Sequence, residues 1–270
     1  MILDRFRLDG RTAVVTGGAG LLGAQFCQTL VEAGANLVVG DINIKAAQNL
    51  VAELNQQGYP AFALELDVTS PNSVQRLIQT TLETYQTLDI LVNCAALDPK
   101  FDPKHGGHVN AFEDYPLELW NQALAVNLTG LFLCCQAAVH PMLAQGKGVI
   151  INLSSIYGIT APDQRLYQRE GQVRQYKPVY YPVTKSAVLG FTTYLAAYYA
   201  GKNIRVNAIS PGGVYNGHDD AFVQAYSAHT VLGRMARKDD LNGALLFLAS
   251  DASEYMTGAN IVVDGGWSIW

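Results

Sequence analysis

Along the chain, short runs of β-branched and apolar residues alternate with longer stretches whose apolar positions recur every three or four residues. The first kind fits strands buried on both faces, and the second fits helices laid across them. Strands are expected at Thr12–Thr16, Asn36–Asp41, Ala61–Leu66, Ile90–Asn93, Gly148–Leu153, Arg205–Ala208 and Asn260–Val263. Helices are expected at Leu21–Ala33, Ile44–Gln57, Pro71–Tyr85, Leu117–Gln145, Tyr181–Gly201 and Asp239–Ala249. Gly34, Gly58 and Gly146 stand where C-terminal caps belong, and Ser70-Pro71 joins an N-cap to a proline at the first helical position. The repeated βαβ order predicts an α/β, Rossmann-like, doubly wound sheet of seven parallel strands with helices on both faces. Ligands of such sheets bind at the carboxyl ends of the strands.

Three stretches show no clean period: Leu97–Pro116, Ala161–Pro178 and Gly212–Thr230. Each follows a strand, so all three are expected above the same carboxyl edge, where long loops of a compact domain usually carry function. They are assigned to a substrate pocket, against the competing reading of surface insertions or subunit contacts.

A chain of 270 residues can bury enough surface to hold one large domain, expected over residues 1–270 with a cofactor half at about 10–150 and catalytic elements at about 151–270. A formal charge of −5 with 15% charged residues leaves no basic stripe, so nucleic acid is excluded as a partner. No apolar run approaches the ~20 residues that cross a bilayer, and Met1–Gly10 lacks a secretory core; no membrane partner and a cytoplasmic location are expected. Cys27, Cys94, Cys134 and Cys135 form no C-x-x-C pair and no zinc spacing with histidine, so they are read as reduced and buried, and no metal is expected.

Candidate chemistry begins where the first strand runs into a helix through Thr16-Gly17-Gly18-Ala19-Gly20-Leu21-Leu22-Gly23. Gly17, Gly20 and Gly23 suit a tight turn, close approach to a pyrophosphate and close helix packing, with the helix N-terminus offering free N–H groups. The second strand ends in Asp41, whose carboxylate suits the two hydroxyls of an adenosine ribose and repels a 2′-phosphate. Neither Gly18 nor Ile42 supplies a cation, so NAD is favoured over NADP. Further on, Tyr181 and Lys185 stand four residues apart on one helix face, where an ammonium favours the phenolate. With 14 tyrosines and 8 lysines, chance alone yields about 0.4 such pairs, so the weight lies in motif order. The pair follows a dinucleotide-type half and a strand ending in Asn152-Leu153-Ser154-Ser155.

In that order the chain resembles the short-chain dehydrogenase/reductase family over nearly its whole length. The resemblance also rests on Asp67-Val68, Asn93-Cys94-Ala95-Ala96, Asn127 in Ala125–Gly130, Pro211-Gly212-Gly213-Val214 and Val262-Val263-Asp264-Gly265-Gly266. It implies a catalytic set in which Ser155 hydrogen-bonds the substrate oxygen, Tyr181 exchanges a proton, Lys185 binds the nicotinamide ribose and Asn127 holds a relay water. It implies cofactor contacts from Gly17, Gly20, Leu22, Gly23, Asp41, Asp67, Val68, Asn93, Ala95, Tyr181, Lys185, Pro211, Gly212 and Val214. A small-molecule substrate and a homo-oligomer, tetramer or dimer, are implied too, with Trp270 covering a neighbouring subunit's site.

Three departures stand out. The glycine loop has two residues between its first two glycines where compact members have three, putting Leu21 at a usual glycine position; this spacing occurs in members acting on nucleotide sugars. Cys94-Ala95-Ala96 replaces the usual Asn-Ala-Gly. Ser155 and Tyr181 are 26 residues apart, against about a dozen in the family, so residues 163–178 form an insertion. Its Arg165, Arg169, Arg174 and Lys177 suit a polar, phosphorylated or sugar-like substrate. A weaker resemblance, in Pro178–Tyr181, Ser210–Gly217 and the C-terminal end, is to members of bacterial surface-sugar pathways. The expected activity is hydride transfer between NAD(H) and an alcohol or carbonyl carbon. The alternatives are a nucleotide-sugar dehydratase or epimerase, a non-catalytic dinucleotide sensor, and a metal hydrolase built on His105 and His108.

Overall fold

The computed structural model describes residues 1–98, 110–168 and 174–270. Seven strands form one sheet: β1 (Thr12–Thr16), β2 (Asn36–Asp41), β3 (Ala61–Glu65), β4 (Ile90–Asn93), β5 (Gly148–Leu153), β6 (Ile204–Pro211) and β7 (Asn260–Val263). Their order is β3-β2-β1-β4-β5-β6-β7, with every pairing parallel. The chain winds outward from β1 to β3, then returns to the other side of β1 for β4. The crevice between the carboxyl ends of β1 and β4 is therefore the switch point at which α/β sheets hold ligands.

Side chains alternate across β1, sending Ala13 and Val15 into one core and Val14 into the other. The first core is closed by α1 (Leu21–Glu32), α2 (Ile44–Gln56) and α8 (Asn242–Ala249), through residues such as Phe26, Leu54 and Leu245. The second is closed by α3 (Pro71–Tyr85), α5 (Leu131–Gln145) and α6 (Tyr180–Tyr198), through Leu77, Met142 and Val188.

The expected 29-residue helix from Leu117 is three pieces: α4 (Leu117–Leu124), a π turn over Ala125–Gly130 and α5. The expectation that no apolar run reaches membrane-spanning length is corrected here, because this stretch is long and apolar enough to cross a bilayer. Cys134, Cys135, Ala138 and Met142 instead face the second core, each at most 2% exposed. Gly212–Thr230 is also corrected, since it contains α7 (Asp220–Ala228), capped by the Asp219 side chain on the Phe222 amide at 2.9 Å. The signal was an Asp cap followed by Phe222 and Tyr226 at i, i+4, obscured by neighbouring Gly and His residues. β6 runs three residues beyond its expected end, carrying its pairing with β7 to Pro211.

Beneath the crevice, strand register brings Asn93 beside Asn152. Asn93 Nδ2 donates to Asn152 Oδ1 at 2.9 Å, and Asn152 Nδ2 donates to Thr192 Oγ1 at 2.9 Å, tying β4, β5 and α6 together. Asn152 is wholly buried, so Asn152→Ala takes one hydrogen bond each from the buried Asn93 and Thr192, leaving them only their bonds to Cys135 Sγ and Val188 O. The expected loss is about 2 kcal/mol of unfolding free energy, read from urea denaturation; an unchanged midpoint would show the chain of amides to be dispensable.

Candidate active site

A cavity of about 790 Å³ opens along the carboxyl edge. Its floor at one end is the β1–α1 turn. Gly17 has φ +63°, and a Cβ there would lie 2.7 Å from Ala95 Cα; a Cβ on Gly23 would lie 2.1 Å from Gly17 O. These contacts exclude any side chain and hold the turn against the end of β4. Gly20 is the N-cap of α1, and Leu21, at the unusual position, is 39% exposed and faces the cavity as the first residue of the helix. The altered spacing thus leaves the helix N-terminus open to the cavity.

Asp41 lines the same end. Its carboxylate is held at the end of β2 by the Ala19 and Asn43 amides, each at 2.9 Å. Asp67 is fixed by the Thr69 amide at 2.9 Å and hydroxyl at 2.7 Å, and neighbouring Val68 packs where a Cβ on Gly130 would come within 2.7 Å. Leu22, Ala95, Pro211, Gly212 and Val214 also line the cavity. Gly212 packs on Asp264, and Gly213 lies so close to the Tyr226 ring that any side chain there would collide with it. Tyr226 Oη accepts the Gly213 amide, which ties this loop to α7.

Asn93, expected among the cofactor contacts, is not one of the residues that line the cavity; its side chain turns into the sheet toward Asn152 and Cys135 Sγ. Cys94 does line the cavity, but burial pushes its thiol up to about 11, so it is protonated and unsuited to act as a nucleophile. Cys27, Cys134 and Cys135 are buried and free, with thiols raised by burial.

Ser155, Tyr181 and Lys185 meet at the centre of the cavity. Ser155 follows β5, its Oγ accepting from the Tyr157 amide at 3.1 Å and hydrogen-bonding Tyr181. The adjacent Ser154 hydroxyl is committed elsewhere, donating to Lys185 O at 2.7 Å and joining β5 to α6. Lys185 is 6% exposed; its Nζ donates to Leu153 O at 2.8 Å and lies 5.8 Å from the Tyr181 ring centre. Burial lowers the Lys185 pKa and raises that of Tyr181 well above 10, with Asp98 raising it further and the Ser155 hydrogen bond opposing.

Asn127 stands one layer behind. Its Oδ1 accepts the Leu97 amide at 2.7 Å, while Nδ2 donates to Leu97 O and Thr184 Oγ1, both at 3.2 Å. The main chain of Asn127 lies in the π turn, an insertion typical of functional sites.

The insertion behaves differently from the expectation. Arg165 points to solvent and pairs with Asp163 at 2.7 Å, and Arg174 is exposed, so neither lines the cavity. Arg169, His105 and His108 lie outside the described residues. Among the described residues, no three His, Cys, Asp or Glu side chains cluster as a metal site. Lys177 does line the cavity, and the insertion also supplies Tyr167, which packs with Tyr157, Phe222, Tyr226, Met235 and Trp267 in a third apolar cluster beside Tyr181. Sequence reasoning missed this aromatic wall because its members are scattered between residues 157 and 267 and meet only through the fold. Trp270 Nε1 donates to His229 O of its own chain at 2.9 Å.

A family sequence profile described as "Enoyl-(Acyl carrier protein) reductase" matches residues 18–268. The chain belongs to the short-chain dehydrogenase/reductase family. It is 34% identical over 268 residues to 2,5-dichloro-2,5-cyclohexadiene-1,4-diol dehydrogenase of Sphingobium indicum, covering 97% of this chain and 98% of the relative. It is 34% identical to D-threitol dehydrogenase of Mycolicibacterium smegmatis, over 98% and 95% of the two chains. The crystal structure of a gluconate 5-dehydrogenase from Burkholderia cenocepacia, in complex with NADP and tartrate, superposes with a TM-score of 0.87 at 31% identity over the whole of both chains. The chain is thus a compact member of the family with a seven-stranded sheet, an oxidoreductase acting at an alcohol or carbonyl carbon.

Removing the Asn127 amide should loosen the seat of Tyr181 through Thr184 without touching the cofactor end. For Asn127→Ala, kcat is expected to fall about tenfold or more, about 1.4 kcal/mol, while the dissociation constant for NADH stays within about threefold. Stopped-flow turnover and fluorescence titration test this pair of outcomes; equal loss in both would contradict it.

Proposed function

We propose that this enzyme is an NAD-dependent dehydrogenase that interconverts a small hydroxylated substrate and its ketone, with Tyr181 as the acid/base. The carrying observation is the convergence of Ser155, Tyr181 and Lys185 in one cavity with an open helix N-terminus and a fixed carboxylate at its other end.

The site fits a dinucleotide on structural grounds. Gly17 and Gly23 occupy places where a Cβ would strike backbone, so the turn offers bare main chain to a pyrophosphate, with Gly20, Leu22 and the α1 amides around it. Asp41 would hold the adenosine ribose, Asp67, Val68 and Ala95 the adenine end, and Pro211, Gly212 and Val214 the nicotinamide end. The cations lining the cavity among the described residues, Lys177 and Lys185, both stand at the catalytic end, so a 2′-phosphate would meet the Asp41 charge without a compensating partner. Held by these residues, NAD would supply the acceptor of the substrate's hydride in oxidation and, as NADH, its donor in reduction.

In oxidation the Tyr181 phenolate takes the substrate hydroxyl proton while Ser155 hydrogen-bonds the same oxygen and orients the carbon. Lys185, with two ammonium protons left beyond its bond to Leu153 O, holds the ribose and favours the phenolate. In reduction the same phenol returns its proton to the carbonyl oxygen.

The aromatic wall suits a compact, ring-like or polyol carbon skeleton, whose C–H faces pack on Tyr157 and Tyr167 while its hydroxyls reach the polar residues of the cavity. The named relatives act on a cyclic diol, on threitol and on gluconate, which supports that class. The dehydratase or epimerase reading rests on the glycine spacing, which places Leu21 at the cavity. A homo-oligomer is part of the proposal, since Phe132 on α5 and Tyr194 and Tyr198 on α6 are 45%, 61% and 65% exposed.

NADH is expected to bind tenfold or more tightly than NADPH, about 1.4 kcal/mol, in fluorescence titration; equal affinities would refute the Asp41 assignment. Tyr181→Phe should abolish NADH formation with a panel of polyols, sugar acids and cyclic diols, yet retain NADH binding. A variant as active as the parent would remove Tyr181 from the mechanism.

A further inference from the structure

The Tyr181 ring faces two cations. Besides Lys185 on its own helix, Lys177 places Nζ 4.0 Å from the ring centre, closer than Lys185 at 5.8 Å. Lys177 belongs to the segment between Ser155 and Tyr181 that is longer than the family spacing, and its position is fixed twice. Gln164 pairs with its main chain, Oε1 accepting the Lys177 amide at 2.8 Å and Nε2 donating to its carbonyl at 3.3 Å. Its ammonium is bound by Asp98 Oδ1 at 2.5 Å, from the segment following β4. The Lys177 side chain is only 12% exposed, whereas that of Asp98 is 52% exposed. Both residues line the cavity.

We infer that Lys177 and Asp98 form an opposed charge pair that sets the acidity of Tyr181, making Lys177 a second positioning cation beyond the Ser155-Tyr181-Lys185 set. This inference rests on Tyr181 being the acid/base. A cation over the ring stabilises the phenolate, whose negative charge spreads into the ring, more than it stabilises the neutral phenol. Asp98 has the contrary effect, and its charge already raises the Tyr181 pKa alongside burial. Because the two charges neutralise each other, removing either one exposes Tyr181 to the field of the other. The remaining groups facing this cluster do not replace that pair. Tyr157, Tyr167 and Tyr180 are phenols raised by burial and neutral in the working range, Lys185 is bonded to Leu153 O, and burial lowers the pKa of His218, keeping it neutral above its ordinary range.

The competing role for Lys177 is a receptor for a substrate carboxylate, released from Asp98 when such a substrate enters. The two roles separate in experiment. In the oxidation direction the phenolate is the active form, so kcat/KM rises with pH through the Tyr181 titration. Lys177→Met is expected to move that rise upward by about half a pH unit or more, Asp98→Asn to move it downward, and the double variant to return it toward the parent. Lys177→Arg, which keeps the charge, should stay near the parent. A second measurement needs neither cofactor nor turnover: the carbon-13 tyrosine Cζ resonance that vanishes in Tyr181→Phe is followed with pH in each variant. If the activity assignment were wrong, this titration would still report the coupling. Opposite displacements for Lys177→Met and Asp98→Asn carry the inference. It is overturned by an unmoved Cζ titration, by displacements in the same direction, or by a Lys177→Met effect confined to KM for anionic substrates.

Discussion

Everything functional in this enzyme depends on the reversal of strand order between β1 and β4. Parallel strands send all their connections off one carboxyl edge, and the reversal leaves a gap there that neither connection fills. The gap has to be narrow at its base for main-chain amides to reach a ligand. Gly17 packed on Ala95 and Gly23 packed on Gly17 meet that requirement, since a single methyl at either place would force strand and helix apart. Asn93 and Asn152 hold β4 to β5 below, in a buried polar chain that extends to α6. The position of the catalytic helix is therefore set partly by hydrogen bonds inside the sheet rather than by residues in the cavity.

The second shared constraint is the cost of placing ionisable groups where little water reaches. Lys185 and Tyr181 are each pushed toward their neutral forms by burial. Local dipoles and charges oppose this. Leu153 O accepts from the lysine, Ser155 hydrogen-bonds the phenol, and Ser154 and Asn127 hold the backbone and flanking Thr184 of α6 in place. At the four thiols burial outweighs what opposes it, the Asn93 hydrogen bond at Cys135 and the Lys185 charge near Cys94 included, and their pKa values are raised.

Much of this was legible in the chain because it depends on local rules. Short apolar runs and period-3.6 patterns marked the strands and most helices, and the glycine turn, Asp41 and the Tyr181/Lys185 spacing each follow from backbone geometry within a few residues. The motif distinguished Ser155 from Ser154, and in the structure the Ser154 hydroxyl is bonded to the Lys185 carbonyl. The π turn at Ala125–Gly130 was invisible, because one extra residue in a helical turn barely changes the hydrophobic pattern. The direction of the Asn93 side chain was invisible for a related reason. Which way a buried amide turns at a strand end depends on its cross-strand neighbour, here Asn152, 59 positions away.

The sequence by itself determined the α/β architecture, the glycine turn at the start of α1 and the placing of Tyr181 and Lys185 together, since each is written in residues that are neighbours along the chain or on one helix face. Tertiary structure alone decided the aromatic wall and the charges around Tyr181. Tyr157, Tyr167, Phe222, Tyr226 and Trp267 meet only in the folded chain, and of the insertion's cations Lys177 reaches the cavity while Arg165 and Arg174 stay outside it. Long-range contacts of this kind carry no periodicity, because loop packing and charge pairing depend on distances in space that chain spacing does not encode.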